Sequence, residues 1–117
     1  KILEIKGRKI EIENFYEGVI KFNFDELCNR NLGSEDYIAI ANNCDFIFIK
    51  DLPDFNEDNS NQQQRFIILI DIIYEKKIPL MITSEISLDI INSSKSLIEP
   101  FKRTVSRLYE LTSIDYN

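Results

Sequence analysis

The sequence predicts an α/β fold: a parallel sheet with flanking helices, built on a βαβ core, with an antiparallel β-hairpin at its N-terminal end. Three observations carry that prediction. Residues 46–49, Phe-Ile-Phe-Ile, are a short apolar run of β-formers stopped by Asp51-Leu52-Pro53, the pattern of a buried strand. From Phe66 onward Leu69, Ile70, Ile73 and Tyr74 continue the i, i+3, i+4, i+7, i+8 stripe of an amphipathic helix. Residues 80–83, Leu-Met-Ile-Thr, read as a second buried strand. Strand, helix and strand at this spacing call for parallel neighbours joined by a right-handed crossover. Ligands of open α/β sheets bind beyond the carboxyl ends of such strands. Here those ends carry Asp51 and Thr83-Ser84.

The remaining elements follow in order. Residues 2–5 and 10–13 alternate apolar and polar around Lys6-Gly7-Arg8-Lys9, a hairpin whose turn uses Gly7 for a positive φ. Tyr16-Glu17-Gly18 breaks the chain, and residues 19–22 make a third strand. Residues 24–28 turn helical with Asn23 or Asp25 near the cap, and Ser34 caps a helix through Tyr37, Ile38, Ile40 and Ala41 that ends at Asn42-Asn43. Residues 53–64 are polar apart from Phe55 and read as a flexible surface loop or a lid. Lys76-Lys77 complement the dipole in the last turn of the central helix. Ser87 caps a short helix over 88–91. Pro100 opens a last helix, whose stripe is Phe101, Val105, Leu108 and Leu111 or Thr112. Arg103, Arg107 and Glu110 point away from that stripe. Residues 1–22 thus form the hairpin and first strand, and 23–117 the α/β core with its C-terminal helix, within one domain.

Bulk properties narrow the function. With 117 residues the chain is one domain or part of one, and its start at Lys1 reads as an excised fragment. A hydrophobic content of 44% can build a core, while a net charge of −6 argues against direct nucleic-acid binding. No apolar run reaches the roughly 18–20 residues of a membrane span, and no signal-peptide pattern is visible. Cys28 and Cys44 read as reduced, packed thiols. With no histidine in the chain, a zinc site would need carboxylates, so no metal site is expected.

Several readings of the strand ends stand side by side. Asp51 can be a turn residue leading into Leu52-Pro53, and Thr83 and Ser84 can be hydroxyls capping the next helix. Together they can also form a phosphate or magnesium site. A receiver-like phosphoacceptor would use Asp51 as acceptor and a hydroxyl as sensor, but needs an acid after the first strand and a later strand bearing Lys. Asp25 could be forced into the first role; no such Lys follows Thr83. A nucleotide triphosphatase needs a Gly-rich phosphate loop, and Gly7, Gly18 and Gly33 make none. No catalytic residue of a self-sufficient enzyme is present. Glu99 suffices as a partner for Arg103 and Glu110 for Arg107, while Arg65 reads as a surface residue of the helix's first turn.

At residues 101–111 the chain resembles a specific family. Phe101, Arg103, Thr104, Ser106, Arg107, Leu108, Glu110, Ser113 and Tyr116 match the F-x-R-T-x-S-R-L-x-E-M-x-S-x-x-Y segment of the ZapE-type ATPases, relatives of the mitochondrial AFG-one-like proteins. Leu111 stands where that family has Met. Upstream, residues 22–28 match F-x-F-x-x-L-C, Asp36-Tyr37 matches DY, and Asp51-Leu52-Pro53 matches D-V-P with Leu for Val. Arg65, Phe66, Ile67, Asp71 and Tyr74 match R-F-I-x-L-V-D-x-x-Y. Ser84 aligns with the serine after the final strand, without the proline that usually follows. The matches run in order from Gly7 to Tyr116.

The resemblance implies the C-terminal region of an AAA+ P-loop ATPase whose Walker motifs and first sensor lie upstream. ATP and Mg²⁺ would serve the parent, with none for this region alone. Implied partners are the upstream AAA+ core, further copies of the chain, and FtsZ or another client protein. The implied location is the bacterial cytoplasm, peripheral at the division site or inner membrane, or the mitochondrion in a eukaryote. Arg103 and Arg107 become candidates for sensing nucleotide phosphate. The unit over 46–91 also has the layout of a Walker B strand, helix and sensor strand, as a decayed internal copy would. In it Asp51-Leu52 replaces the Asp-Glu pair and the catalytic carboxylate is absent.

Overall fold

The computed structural model describes residues 2–5, 8–11 and 14–112. Strands β1 (Ile2–Ile5) and β2 (Arg8–Glu11) form an antiparallel hairpin in which Ile5 faces Arg8. The sequence spacing predicts the second strand at 10–13; the pairing places it at 8–11. Gly7, on which that reading placed the turn, lies outside the described residues. A second hairpin follows, which the sequence reading had as a break. Strands β3 (Asn14–Tyr16) and β4 (Val19–Asn23) pair antiparallel across Glu17 (φ 48°) and Gly18 (φ 83°). Two positive φ values in a two-residue turn are the primed geometry that hairpins favour. A side chain at Gly18 would also collide with the Asp45 carboxylate.

Strand β4 opens the parallel sheet. It pairs with β5 (Phe46–Leu52), which pairs with β6 (Leu80–Ser84), both parallel, giving the order β3-β4-β5-β6. The predicted βαβ unit is therefore present. Ile47 lies between Ile20 and Leu80, and Ile49 between Phe22 and Ile82. Helices α1 (Phe24–Cys28) and α2 (Ser34–Asn42) connect β4 to β5, and α3 (Ser60–Glu75) connects β5 to β6. Right-handed crossovers between strands in consecutive order place these connections on one face. Ile20, Phe22, Ile47, Ile49 and Leu80 are buried there with α3 residues Phe66, Ile70 and Ile73 and with Phe101 and Leu108 of α4 (Ile98–Thr112). Leu3 of the hairpin joins the same core.

Asn23 caps α1 as expected: its side chain accepts the Asp25 N–H, and Glu26 accepts the Asn23 N–H at 3.0 Å. The cap of α2 falls on Gly33 rather than Ser34, because the buried Asp36 carboxylate accepts the Gly33 N–H at 2.7 Å. Helix α3 begins at Ser60, several residues before its apolar stripe. The polar residues of its first turns hid this start, and Gln63 among them is fully buried. Lys76 and Lys77 lie just past α3, not in its last turn. Lys77 (φ 56°) donates its N–H to Tyr74 O and Ile78 donates to Ile73 O, a Schellman closure with lysine in the left-handed position. Residues 88–91 form a turn instead of a helix. Ser87 accepts the N–H of Asp89 on its hydroxyl and that of Ile90 on its carbonyl, so the one turn is closed locally.

Candidate functional site: strand ends and the seam between two helices

The carboxyl ends of the three parallel strands bring Asn23, Asp51 and Thr83 together. Asp51 adopts φ 62° where the pairing of β5 with β6 shifts register, which turns its N–H toward β6. That N–H donates to Thr83 Oγ1 at 2.9 Å, and Asn23 Nδ2 donates to Asp51 Oδ2 at 2.9 Å. Asp51 and Thr83 are thus joined by a hydrogen bond, and Asn23, a helix cap in the sequence, joins them. Ser84 turns back instead. Its hydroxyl donates to Ile86 O at 2.6 Å and accepts the Ile86 N–H, closing a turn, so neither hydroxyl caps a helix. The cluster holds one carboxylate, one amide and one hydroxyl. Asp25, the acid a receiver-like reading needs after the first strand, is instead an exposed residue of α1's first turn.

The second constellation spans α3 and α4. Asp71 divides its carboxylate between two arginines: Oδ1 accepts from Arg107, and Oδ2 from Arg103 at 3.5 Å. The Arg107 guanidinium also lies 4.5 Å from the centroid of the Tyr74 ring. Interaction with the Glu110 carboxylate pushes the Tyr74 hydroxyl pKa up. Asp71 and Tyr74 are three apart on α3; Arg103, Arg107 and Glu110 are four and three apart on α4, so each set shares a face. The partners named from the sequence alone were different ones. Glu99 pairs with Lys102 at 3.2 Å, leaving Arg103 to Asp71, and Arg107 turns inward across the seam instead of pointing away. The two arginines are not equivalent: the Arg103 side chain is 57% exposed, that of Arg107 26%.

A third arrangement was not read from the sequence. The segment 53–59 is tied to 92–96 by a row of polar contacts. Asp54 accepts the Asn92 N–H at 2.6 Å and its Nδ2 at 2.7 Å, which holds the Asp54 carboxyl below its ordinary pKa. Glu57 accepts the Lys95 N–H at 2.8 Å. Gln63 accepts the Ser94 N–H at 3.0 Å and donates to Ser93 Oγ at 2.7 Å. Phe55 anchors the segment beneath, 5.3 Å from Phe101 and 5.7 Å from Phe24 between ring centroids. The reading as a flexible loop is corrected: every buried polar side chain here is paired, and an aromatic cluster holds the backbone. The only sequence signal was Phe55 itself, a lone apolar residue in a polar run.

A groove of about 560 Å³ lies away from both constellations, between 88–93 and α4, lined by Leu88, Ile91, Phe101 and Val105. Its walls carry no acid–base pair. Among the described residues no group of three His, Cys, Asp or Glu could hold a metal ion, and no helix is long and apolar enough to cross a membrane. Cys28 and Cys44 are not joined in a disulfide; burial pushes the Cys28 pKa far above its ordinary value. Of the described glycines, Gly18 serves a hairpin turn and Gly33 a helix cap, so neither belongs to a phosphate cradle.

The model of the AFG1-like ATPase family matches residues 1–117. The chain belongs to that family. It is 29% identical over 114 residues to the cell division protein ZapE of Escherichia coli K12, a match covering 97% of this chain and 30% of ZapE. It is 29% identical over 89 residues to lactation elevated protein 1 homolog B of Danio rerio, covering 76% of this chain and 18% of that protein. No solved structure matches it significantly. This AFG1-like chain therefore spans less than a third of the length of these relatives. The α3–α4 seam is built from the residues that carried the resemblance: Asp71, Tyr74, Arg103, Arg107 and Glu110.

Proposed function

We propose that this region is the C-terminal, catalytically silent part of a longer AFG1-like ATPase, in which an upstream AAA+ core binds ATP and Mg²⁺. Its work is to complete the α/β body of the enzyme and to present Arg103 toward nucleotide phosphate, in the same or a neighbouring subunit. The observation that supports this reading is the asymmetry of the seam. Arg107 is committed to Asp71 and Tyr74, whereas Arg103 is mostly exposed and held only by a long contact to the same carboxylate. A guanidinium oriented from below and open above can stabilise charge on a transferring phosphoryl group. The likeness to ZapE favours a bacterial cytoplasmic cell-division role, peripheral at the division site or inner membrane; a eukaryotic parent would act in the mitochondrion. An Arg103→Ala variant of the full-length ATPase should lose most turnover at unchanged thermal stability. Wild-type turnover in that variant would remove the role.

A partner-docking reading, with FtsZ or another client protein, draws on the ordered segment 53–64, whose exposed Asp58, Asn61 and Gln64 stand on a rigid base. Deleting the segment would also remove Phe55 and the start of α3, so the informative variant is Asp58→Arg with Gln64→Arg. If this segment docks the client, that variant loses client binding and keeps ATPase activity; if Arg103 carries the function, both persist. The receiver-like reading has less support, since Asn23 rather than an acid stands beside Asp51 and this chain matches the AFG1-like ATPases.

A further inference from the structure

Among the described residues, the helices cover the four-stranded sheet on one face only. Its other face is built from Tyr16 on β3, Val19 and Lys21 on β4, Phe46, Phe48 and Lys50 on β5, and Met81 on β6. The register sets Tyr16 beside Val19, Val19 beside Phe46, and Lys21 beside Phe48, with Met81 beyond. Tyr16 is 74% exposed, Val19 43% and Met81 47%. Phe46 and Phe48 are half-buried yet take no part in the hydrophobic core, and the Lys21 ammonium lies over the Phe48 ring, 5.4 Å from its centroid. Parallel sheets are found almost only with both faces covered. Here, among the described residues, Val19 and Met81 stand exposed and Phe46 and Phe48 only partly covered.

We propose that this face is where the rest of the longer family chain packs, through an element with an apolar stripe and carboxylates at its rim. The inference rests on the reading that this region is part of a longer ATPase. Two observations choose that occupant. The chain covers 30% of ZapE and 18% of the zebrafish relative, so most of such a polypeptide remains to supply a covering layer. The strand positions of this face up to Lys50 carry two lysines and no carboxylate, in a chain of net charge −6. A partner surface with acidic residues around apolar ones complements that pattern.

Met81 is the one methionine of this sequence and sits on the face, so its oxidation to the sulfoxide reports cover directly. The experiment treats the full-length ATPase carrying this region with hydrogen peroxide and reads the Met81 peptide by mass spectrometry. Oxidation should be slower by about tenfold or more than that of an exposed methionine, at every protein concentration. Val19→Glu should restore rapid oxidation, since a glutamate tolerated on a bare face cannot be buried under an apolar layer. Rapid oxidation in the wild-type chain overturns the proposal, whether or not the variant folds. Protection that disappears on dilution gives the face to a second copy and overturns it too, as does protection lost in a chain stopped at Thr112, which assigns the cover to residues 113–117. ATP turnover is measured alongside. Full turnover with Met81 accessible defeats the docking face but not the ATPase reading; a protected Met81 without turnover does the reverse.

Discussion

Asp71 and Arg107 form an ion pair across the seam between α3 and α4, and the Tyr74 ring lies against the same guanidinium. Both side chains are about a third exposed or less, so solvent weakens the pair without cancelling it. Arg107→Ala should lower stability by about 1–2 kcal/mol, combining a charge-assisted hydrogen bond with lost ring contact. Arg107→Lys keeps the charge but not the planar stacking and should fall in between. Arg103→Ala should stay within about 0.5 kcal/mol of wild type, as exposed pairs do. Urea unfolding of the three variants checks the ranking. An Arg103→Ala loss as large as that of Arg107→Ala would contradict the asymmetry on which the functional reading is built.

Phe55 gives a second expectation. It is almost wholly buried against Phe24, Phe66 and Phe101, and is the one core residue of segment 53–59. Phe55→Ala should cost about 3–5 kcal/mol, since a cavity under a short loop bordered by two helices collapses poorly. Phe55→Leu should recover much of that loss. If segment 53–59 were a loose loop, both variants would unfold at the wild-type denaturant concentration.

These two cases bear on what could be read without coordinates. The strands read at 46–49 and 80–83 and the apolar stripe of α3 were legible because burial leaves a continuous apolar run in an interior strand and a 3.6-residue period in a helix. The start of α3 was not, because residues 60–64 are polar for a tertiary reason: Gln63 and Ser60 meet Ser93 and Ser94, thirty or more residues away. The seam failed to show for the same reason. Asp71 lies 36 residues from Arg107, and a search along one helix finds Glu99 and Glu110 first. Asp51 and Thr83 could be placed at neighbouring strand ends because parallel topology puts them there, while the turn of Asp51 into positive φ toward Thr83 depends on a local register shift that no pattern announces.

The Asp54–Asn92 contact sets a pH dependence. Hydrogen bonds from the Asn92 side chain and backbone hold the Asp54 carboxyl below its ordinary value of 3.8. A depressed folded pKa contributes stability that is complete above the unfolded value and is lost as pH falls through the folded one. Asn92→Ala should therefore narrow the stability gap to wild type as pH drops from about 5 through the ordinary carboxylate range and below. The check is the difference in urea midpoint between the two proteins at a series of pH values. A gap that stays constant, or widens in acid, would mean that the carboxylate is not stabilised by these bonds.

Lys77 offers the last test, and two opposing effects decide its sign. At φ 56° a residue with a Cβ carries a steric cost of roughly 1–2 kcal/mol that glycine avoids. Glycine, however, loses more backbone freedom on folding, a penalty of about 0.5–1 kcal/mol. The Lys77 side chain is exposed and the closure depends on backbone groups, the N–H of Lys77 to Tyr74 O and of Ile78 to Ile73 O, both at 3.1 Å, which glycine keeps. Relief of strain exceeds the added entropy loss, so Lys77→Gly should stabilise by about 0.5–1 kcal/mol. Lys77→Val, β-branched in the same conformation, should destabilise instead. Thermal unfolding of the pair gives the answer directly: a valine variant as stable as the glycine variant would mean that α3 does not close through a left-handed residue at position 77.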